Sequence, residues 1–321
     1  MSETYICEKL ETTLNFTPEG VRFCCMYVLG PNVEIKKIYD IKKIQNEYIK
    51  SFKRGEIPHE CENCTECKKI SIKDKINNLF KGQQNKNFSY VVVNHYKQCD
   101  CACIYCSQKT QMKAKLQNYE LLPIIKKLFA KKIIAKKNLV VEFQGGNISV
   151  LKEFESLIKE FYSQGCKKFI IFMNAIKYPS IFDEIGNIIE CSFIISLDSG
   201  TKETFAKIKQ VDAFEQTINN IKRIKEKTKA AVALKYIIIE NVNDNIDELK
   251  KFLSVARNIR TDTVILDIDF NNTCLSFGKR FDVPKHYYEL FKLAEVYCAQ
   301  RNIRYVVRPF TQNILDKGYS I

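Results

Sequence analysis

From residue 88 onward, apolar runs of strand length alternate with longer segments whose apolar residues recur at helical spacing. The runs predict six strands, at residues 88–94, 139–143, 168–173, 192–197, 232–239 and 263–268. Helices are predicted between them at residues 119–131, 151–162, 179–186, 213–227 and 247–257, followed by a helix at 287–300 and a short strand at 304–307. Strands that alternate with helices are joined by right-handed crossovers, so the pattern predicts an α/β fold with a parallel sheet.

The first 81 residues lack this alternation. The stretch from Thr17 to Cys25 contains Pro18 and Gly20 and predicts a turn that leads into a strand. Residues 35–53 predict an amphipathic helix. We therefore expect three parts, namely a cysteine-rich segment at 1–81, a polar linker at 82–87 and an α/β domain at 88–321.

Composition and charge narrow the possible functions. The chain has 321 residues, 45% of them hydrophobic, and no apolar run long enough to cross a membrane. The first residues do not resemble a signal peptide, so we expect a cytoplasmic protein without membrane contact. Fourteen cysteines in that compartment favour metal or redox chemistry over disulfides. The net charge of +14 comes from lysines spread over many helix faces among glutamates, which argues against nucleic acid as a partner.

The chemistry is concentrated in one short loop, Cys99-Asp100-Cys101-Ala102-Cys103-Ile104-Tyr105-Cys106, after the first predicted strand. Cys99, Cys103 and Cys106 have the spacing C-x3-C-x2-C, and Cys101 is additional. Three thiolates can hold three irons of a 4Fe–4S cluster and leave the fourth open to a ligand. A zinc site and buried free thiols are the alternatives. Four other cysteines lie in apolar patterns and are expected as small core residues: Cys166, Cys191, Cys274 and Cys298.

This loop resembles that of the radical S-adenosylmethionine (radical SAM) enzymes, which share the spacing and usually carry an aromatic residue, here Tyr105, before the third cysteine. The resemblance implies a curved, open fold, a partial (β/α)6 barrel of parallel strands. From the pattern alone, a doubly wound sheet is the alternative. The resemblance also implies that the reduced cluster cleaves SAM to methionine and a 5′-deoxyadenosyl radical, which abstracts a hydrogen atom from a substrate.

Further cofactor-binding residues follow from the same resemblance. Gly145 and Gly146 match the first half of a Gly-Gly-Glu-Pro motif that holds the SAM amino group in the family. Asn147 replaces the glutamate and supplies no negative charge, so we expect weaker SAM binding or a compensating carboxylate, with Asp198 as the candidate. Asn174 partly matches a further position of the family. Ser196 and Asp198 lie in a stretch similar to the family's, and because side chains alternate along a strand we expect both to point the same way and to hydrogen-bond the SAM ribose. Lys235, amid apolar residues of the fifth predicted strand, is a candidate for contacting the SAM carboxylate. The alternatives are an ordinary glycine turn, a helix cap at Asp198 and an edge lysine.

The cysteines of the N-terminal segment form a second candidate metal site. Their order around a turn and a helix resembles the auxiliary-cluster domains of peptide-modifying radical SAM enzymes, the SPASM and twitch type, although here the segment precedes the barrel. The resemblance implies a second iron–sulfur cluster, and zinc is the competing metal. The expected ligands are Cys7, Cys24, Cys61 and Cys64, with Cys67 or Cys25 as substitutes.

These observations lead us to expect a radical SAM enzyme that acts on a peptide or a small metabolite. Its electron would come from a donor such as flavodoxin or ferredoxin. Cys274, just past the sixth predicted strand, is a candidate for returning a hydrogen atom to the substrate radical. Two alternatives stay open: an RNA-modifying radical SAM enzyme, suggested by the positive charge, and a non-enzymatic zinc-binding interaction protein.

Overall fold

The computed structural model describes residues 4–24, 32–57, 61, 67–70, 87–96, 98–106, 119–269, 283–308, 311–312 and 315–316. The chain divides into two compact units. The first comprises Met1–Lys97, Leu116–Gly145 and Lys152–Phe169, and the second comprises Gln98–Lys115, Gly146–Leu151 and Ile170–Ile321. Among the described residues, no helix is long and apolar enough to cross a membrane.

The first unit combines the N-terminal segment with the start of the parallel sheet. Its elements are β1 Thr4–Cys7, α1 Glu8–Thr12, β2 Thr13–Thr17, β3 Gly20–Arg22, β4 Asn32–Val33, a 3₁₀ helix Ile35–Asp40, α2 Ile41–Lys53, β5 Cys67–Ile70, β6 Tyr90–Val93, α3 Leu122–Ala130, β7 Val140–Phe143 and α4 Phe154–Ser163. Strand β6 pairs in parallel with β2 on one side and β7 on the other. β3 continues antiparallel from β2, and β1 pairs separately with β5.

The second unit carries the later part of the strand–helix alternation. Its elements are a 3₁₀ helix Ile148–Val150, β8 Lys168–Met173, which begins at the unit boundary, α5 Ile181–Ile185, β9 Glu190–Ser196, α6 Lys202–Lys209, α7 Phe214–Lys227, β10 Ala231–Ile238, α8 Ile246–Ile259, β11 Thr263–Ile268, α9 Lys285–Ala299 and β12 Arg304–Val307. Strands β9 to β12 pair in parallel in chain order. The fold class is therefore α/β with a mostly parallel sheet, as predicted.

Local sequence explains where the helices of the second unit begin and end. The side chain of Asn245 accepts a hydrogen bond from the backbone N–H of Glu248 at 2.9 Å and caps α8. Thr201 caps α6 in the same way, through the N–H of Thr204. Both helices end at a residue in the left-handed conformation, Gln210 after α6 and Arg260 after α8.

All six predicted strands are present, and so is the predicted helix at 35–53, which begins as a 3₁₀ turn. Strand β2 was not predicted to join the parallel sheet. Its residues, Thr-Leu-Asn-Phe-Thr, alternate between polar and apolar, the pattern of a strand with one exposed face. All five are nevertheless buried, because the strand is covered on both faces. Residues 82–86 of the predicted linker lie outside the described residues, and the division at residue 81 remains a prediction.

Candidate metal centre and cofactor site

The cysteine loop lies in the second unit and is fastened to the end of α6. The backbone N–H groups of Ala102 and Ile104 donate to the carbonyls of Lys209 and Ile208, at 3.1 and 2.9 Å. These carbonyls belong to the last turn of α6, which has no partners for them within the helix. The loop itself closes through the N–H of Cys106, which donates to the carbonyl of Cys103 at 3.1 Å. The helix end and the loop thus satisfy each other's backbone groups.

The thiols of the loop are arranged so that two of the predicted ligands ionise easily. Hydrogen bonding from Cys101 lowers the pKa of Cys99. The same donor, helped by the charge of Lys209, lowers the pKa of Cys103 to about 6. The pKa of Cys101 is raised, because its thiol is hydrogen-bonded to those of Cys103 and Cys99 and its side chain is buried. Cys103 is therefore mainly a thiolate at neutral pH, the form that binds iron, and the hydrogen bond from Cys101 favours the same form of Cys99.

Asp100 connects the loop to two asparagines. Its Oδ1 accepts hydrogen bonds from the Nδ2 atoms of Asn147, at 2.8 Å, and Asn174, at 2.6 Å. Asn174 also donates to the Sγ of Cys101 at 3.1 Å. The ligand atoms of Cys99, Asp100 and Cys101 all lie within 4.8 Å of one another. Sequence reasoning missed Asp100; the only signal was an acidic residue between two cysteines.

The two glycines of the predicted SAM motif have positive φ values, 84° at Gly145 and 53° at Gly146. A Cβ on Gly146 would lie 2.1 Å from the carbonyl oxygen of Gln98, directly before the cysteine loop. In the first unit, a Cβ on Gly145 would lie 2.0 Å from the Oδ1 of Asn94. Both glycines therefore make room for the chain's own atoms.

Asp198 is engaged by residues of the chain itself. Strand β9 ends at Ser196, and Asp198 has a φ of 62°, so the strand alternation that placed both side chains on one side does not extend to Asp198. Its carboxylate accepts from the hydroxyl of Tyr105 at 2.7 Å and the N–H of Ile237 at 2.9 Å, and it forms an ion pair with Lys209. Burial, strengthened by the charge of Asp198, raises the pKa of Tyr105.

Lys235 is likewise paired within the second unit. It lies opposite Ser196 in the ladder between β10 and β9. Its Nζ is 3.1 Å from the carboxylate of Asp267, which also lies 3.1 Å from the Nε of Arg308. Burial lowers the pKa of Lys235 despite this partner. Burial alone would raise the pKa of Asp267, but the charges of Lys235 and Arg308 lower it.

The structure places part of the second predicted ligand set. Cys7 lies directly opposite Cys67 in the antiparallel ladder of β1 and β5. The other two described members, Cys24 and Cys61, are partly buried. Three of the cysteines named above lie outside the described residues: Cys25, Cys64 and Cys274. The predicted core cysteines Cys166, Cys191 and Cys298 are buried.

The region that contains this site matches a known protein family. Residues 93–253, half of the chain, match the Radical SAM superfamily, so the chain belongs to that superfamily. The chain is 28% identical over 178 residues to a GTP 3′,8-cyclase of Helicobacter pylori (strain ATCC 700392 / 26695). The aligned region covers 54% of this chain and 54% of the relative. The chain thus spans about half the length of the curated relatives it matches.

Solved structures show the same fold. Streptococcus suis SuiB bound to the precursor peptide SuiA has a TM-score of 0.53 and 12% identity, covering 99% of this chain and 79% of SuiB. SuiB bound to S-adenosylmethionine has a TM-score of 0.51 and 12% identity, covering 95% and 72%. The predicted fold class, the partial barrel of the radical SAM enzymes, is confirmed.

Proposed function

We propose that this protein is a radical SAM enzyme that holds a 4Fe–4S cluster on Cys99, Cys103 and Cys106 and binds SAM beside it. The observation that carries the proposal is the cysteine loop, where hydrogen bonding lowers the pKa of two of the three thiols and the loop backbone is fixed to α6. This donor set fits iron, because thiolates on one tight loop are the ligands of such clusters. When bound, the cluster supplies the electron that cleaves SAM to methionine and a 5′-deoxyadenosyl radical.

The chain's own residues orient the loop. Asp198 and Lys209 form a buried ion pair, the partly buried Tyr105 donates a hydrogen bond of 2.7 Å to Asp198, and both Tyr105 and Lys209 interact with the thiol of Cys103. Asn147 and Asn174 fix the side chain of Asp100 on the other part of the loop. Rigid support of this kind holds a reactive centre in one geometry.

The experiment that tests this function counts iron and sulfide after anaerobic reconstitution. About four irons per chain are expected at this site. Cys103→Ala removes one ligand and should abolish their uptake. Cys166→Ala is the matched control and should leave iron binding intact, because Cys166 is a buried thiol that donates a hydrogen bond to the carbonyl of Leu139. Uptake of zinc alone would support the zinc-binding interaction protein instead.

We propose that the hydrogen donor is a peptide or a small metabolite, that a flavodoxin or ferredoxin delivers the electron, and that the reaction takes place in the cytoplasm. GTP is the first metabolite to test, because the curated relatives are GTP 3′,8-cyclases. A precursor peptide is the first peptide class to test, because SuiB binds one. A substrate should increase 5′-deoxyadenosine formation by the reconstituted, reduced protein. If RNA alone does so, the RNA-modifying alternative holds.

We further propose that the N-terminal cysteines bind a second metal centre, an iron–sulfur cluster or zinc. The pairing of Cys7 with Cys67 across β1 and β5 supports it, since it brings the two ends of the cysteine-rich segment together. Cys7→Ser should lower the total metal content and leave the iron of the Cys99 loop in place. An unchanged total would mean that these cysteines are free thiols.

A further inference from the structure

Two buried oxygen atoms beside the cysteine loop have no hydrogen-bond partner among the described residues. They are Oδ2 of Asp100 and Oδ1 of Asn147. The side chains that carry them are joined to each other, because the Nδ2 of Asn147 donates to the Oδ1 of Asp100 at 2.8 Å. The two acceptor oxygens without a partner therefore lie on one hydrogen-bonded pair of side chains. The side chain of Asn147 is fully buried.

These two oxygens need a donor that the described chain does not provide. A buried acceptor without a partner destabilises the folded protein, so such atoms are usually satisfied by a ligand or water. Both atoms here are acceptors, and one belongs to a carboxylate. A donor that carries several N–H groups and a positive charge meets both requirements, and an ammonium group is the simplest such donor.

The polar groups around the pair fix it in place. The second donor to Asp100, Nδ2 of Asn174, holds the carboxylate at 2.6 Å, and Ser149 accepts from Asn147 at 2.6 Å. The N–H of Asn147 donates to the carbonyl of Gln98 at 2.8 Å. Both acceptors are thus held before a ligand arrives, which reduces the entropy lost on binding.

Building on the proposed function, we infer that Asp100 and Asn147 together bind the amino group of SAM, with Asp100 supplying the negative charge. Asp100 follows Cys99 directly, and its carboxylate lies within 4.8 Å of the thiols of Cys99 and Cys101. Asn147 alone is neutral and cannot balance an ammonium. Asp198, the carboxylate expected from the sequence, is already paired with Lys209. Asp100 is therefore the carboxylate that compensates for Asn147.

Asp100→Asn is the decisive variant. It keeps the size of the side chain and an oxygen for Asn147 and Asn174 to donate to, but it removes the charge and turns the free acceptor into a donor. SAM affinity should fall at least about tenfold, the size expected for one charge-assisted hydrogen bond. Affinity for 5′-methylthioadenosine, which lacks the amino acid end of SAM, should be unchanged. Both affinities are measured by equilibrium binding to the reconstituted protein.

A charge swap provides the matched control. Asp100→Asn combined with Asn147→Asp returns one carboxylate to the pair and should restore most of the SAM affinity. The inference is overturned if Asp100→Asn binds SAM as tightly as the unaltered protein, if it weakens both compounds equally, or if it loses iron. Failure of the proposed function has a different signature, because the unaltered protein would then take up no iron or bind no SAM.

Discussion

The ammonium group of Lys209 is paired with the carboxylate of Asp198, and both side chains are almost completely buried. Tyr105 completes the group, since its hydroxyl donates to Asp198 and lies 3.1 Å from the Nζ of Lys209. Burial alone would lower the pKa of Lys209, but the carboxylate of Asp198 raises it above its usual range. Lys209 therefore stays protonated at neutral pH, and its charge acts on the thiol of Cys103.

Lys209→Met should destabilise the protein strongly. It leaves the carboxylate of Asp198 buried without its counter-charge, and breaking a buried pair in this way costs about 3–5 kcal/mol. The free energy of unfolding from urea titrations measures the loss. The double variant Lys209→Met with Asp198→Asn should recover much of it, because no unpaired charge remains. A double variant less stable than Lys209→Met would show that the charges are not the cause.

Alkylation of the metal-free protein should report the ionisation of Cys103. The pKa of about 6 means that its thiolate predominates above pH 6 and is lost as the pH falls below it. The iodoacetamide reaction rate at Cys103, followed by peptide mass spectrometry, should rise with a midpoint near that pH. Cys166 is the internal control, because burial raises its pKa to about 11. A midpoint for Cys103 near that of an ordinary thiol would contradict the hydrogen-bond pattern of the loop.

Gly146→Ala should displace the cysteine loop. The new Cβ would lie 2.1 Å from the carbonyl oxygen of Gln98, and backbone cannot move aside as a flexible side chain can. We expect lower iron uptake together with a loss of stability. Gly165→Ala is the matched control: its φ of 97° is also positive, but its Cβ would come no closer than 3.5 Å to its nearest neighbour. It should cost about 1–2 kcal/mol of backbone strain and leave iron uptake unchanged.

Cys101→Ala should leave the iron content of the loop near that of the unaltered protein. Cys101 is buried and its pKa is raised, so it keeps its proton at a pH where Cys103 has lost its own. Iron and sulfide analysis after reconstitution measures the effect. A loss of iron as large as that of Cys103→Ala would make Cys101 a ligand and change the ligand set.

The strands and the cysteine spacing could be predicted because both are local. Apolar runs fix the strands, and C-x3-C-x2-C lies within eight residues. The roles of Asp198 and Asp100 depend on partners far away in sequence: Lys209 is joined to Asp198, and Asn147 and Asn174 to Asp100. Strand β2 was missed for the same reason, since its buried Thr13 and Asn15 resemble an exposed strand face until β6 is placed beside it.

The measurement that tests the account most directly is 5′-deoxyadenosine formation from SAM. The protein is purified without oxygen, reconstituted with iron and sulfide, reduced with dithionite and given SAM. We predict that 5′-deoxyadenosine forms together with methionine and that Cys103→Ala, prepared in parallel, forms none. A protein that takes up about four irons and yields no 5′-deoxyadenosine would contradict the central claim that this loop holds a cluster that cleaves SAM.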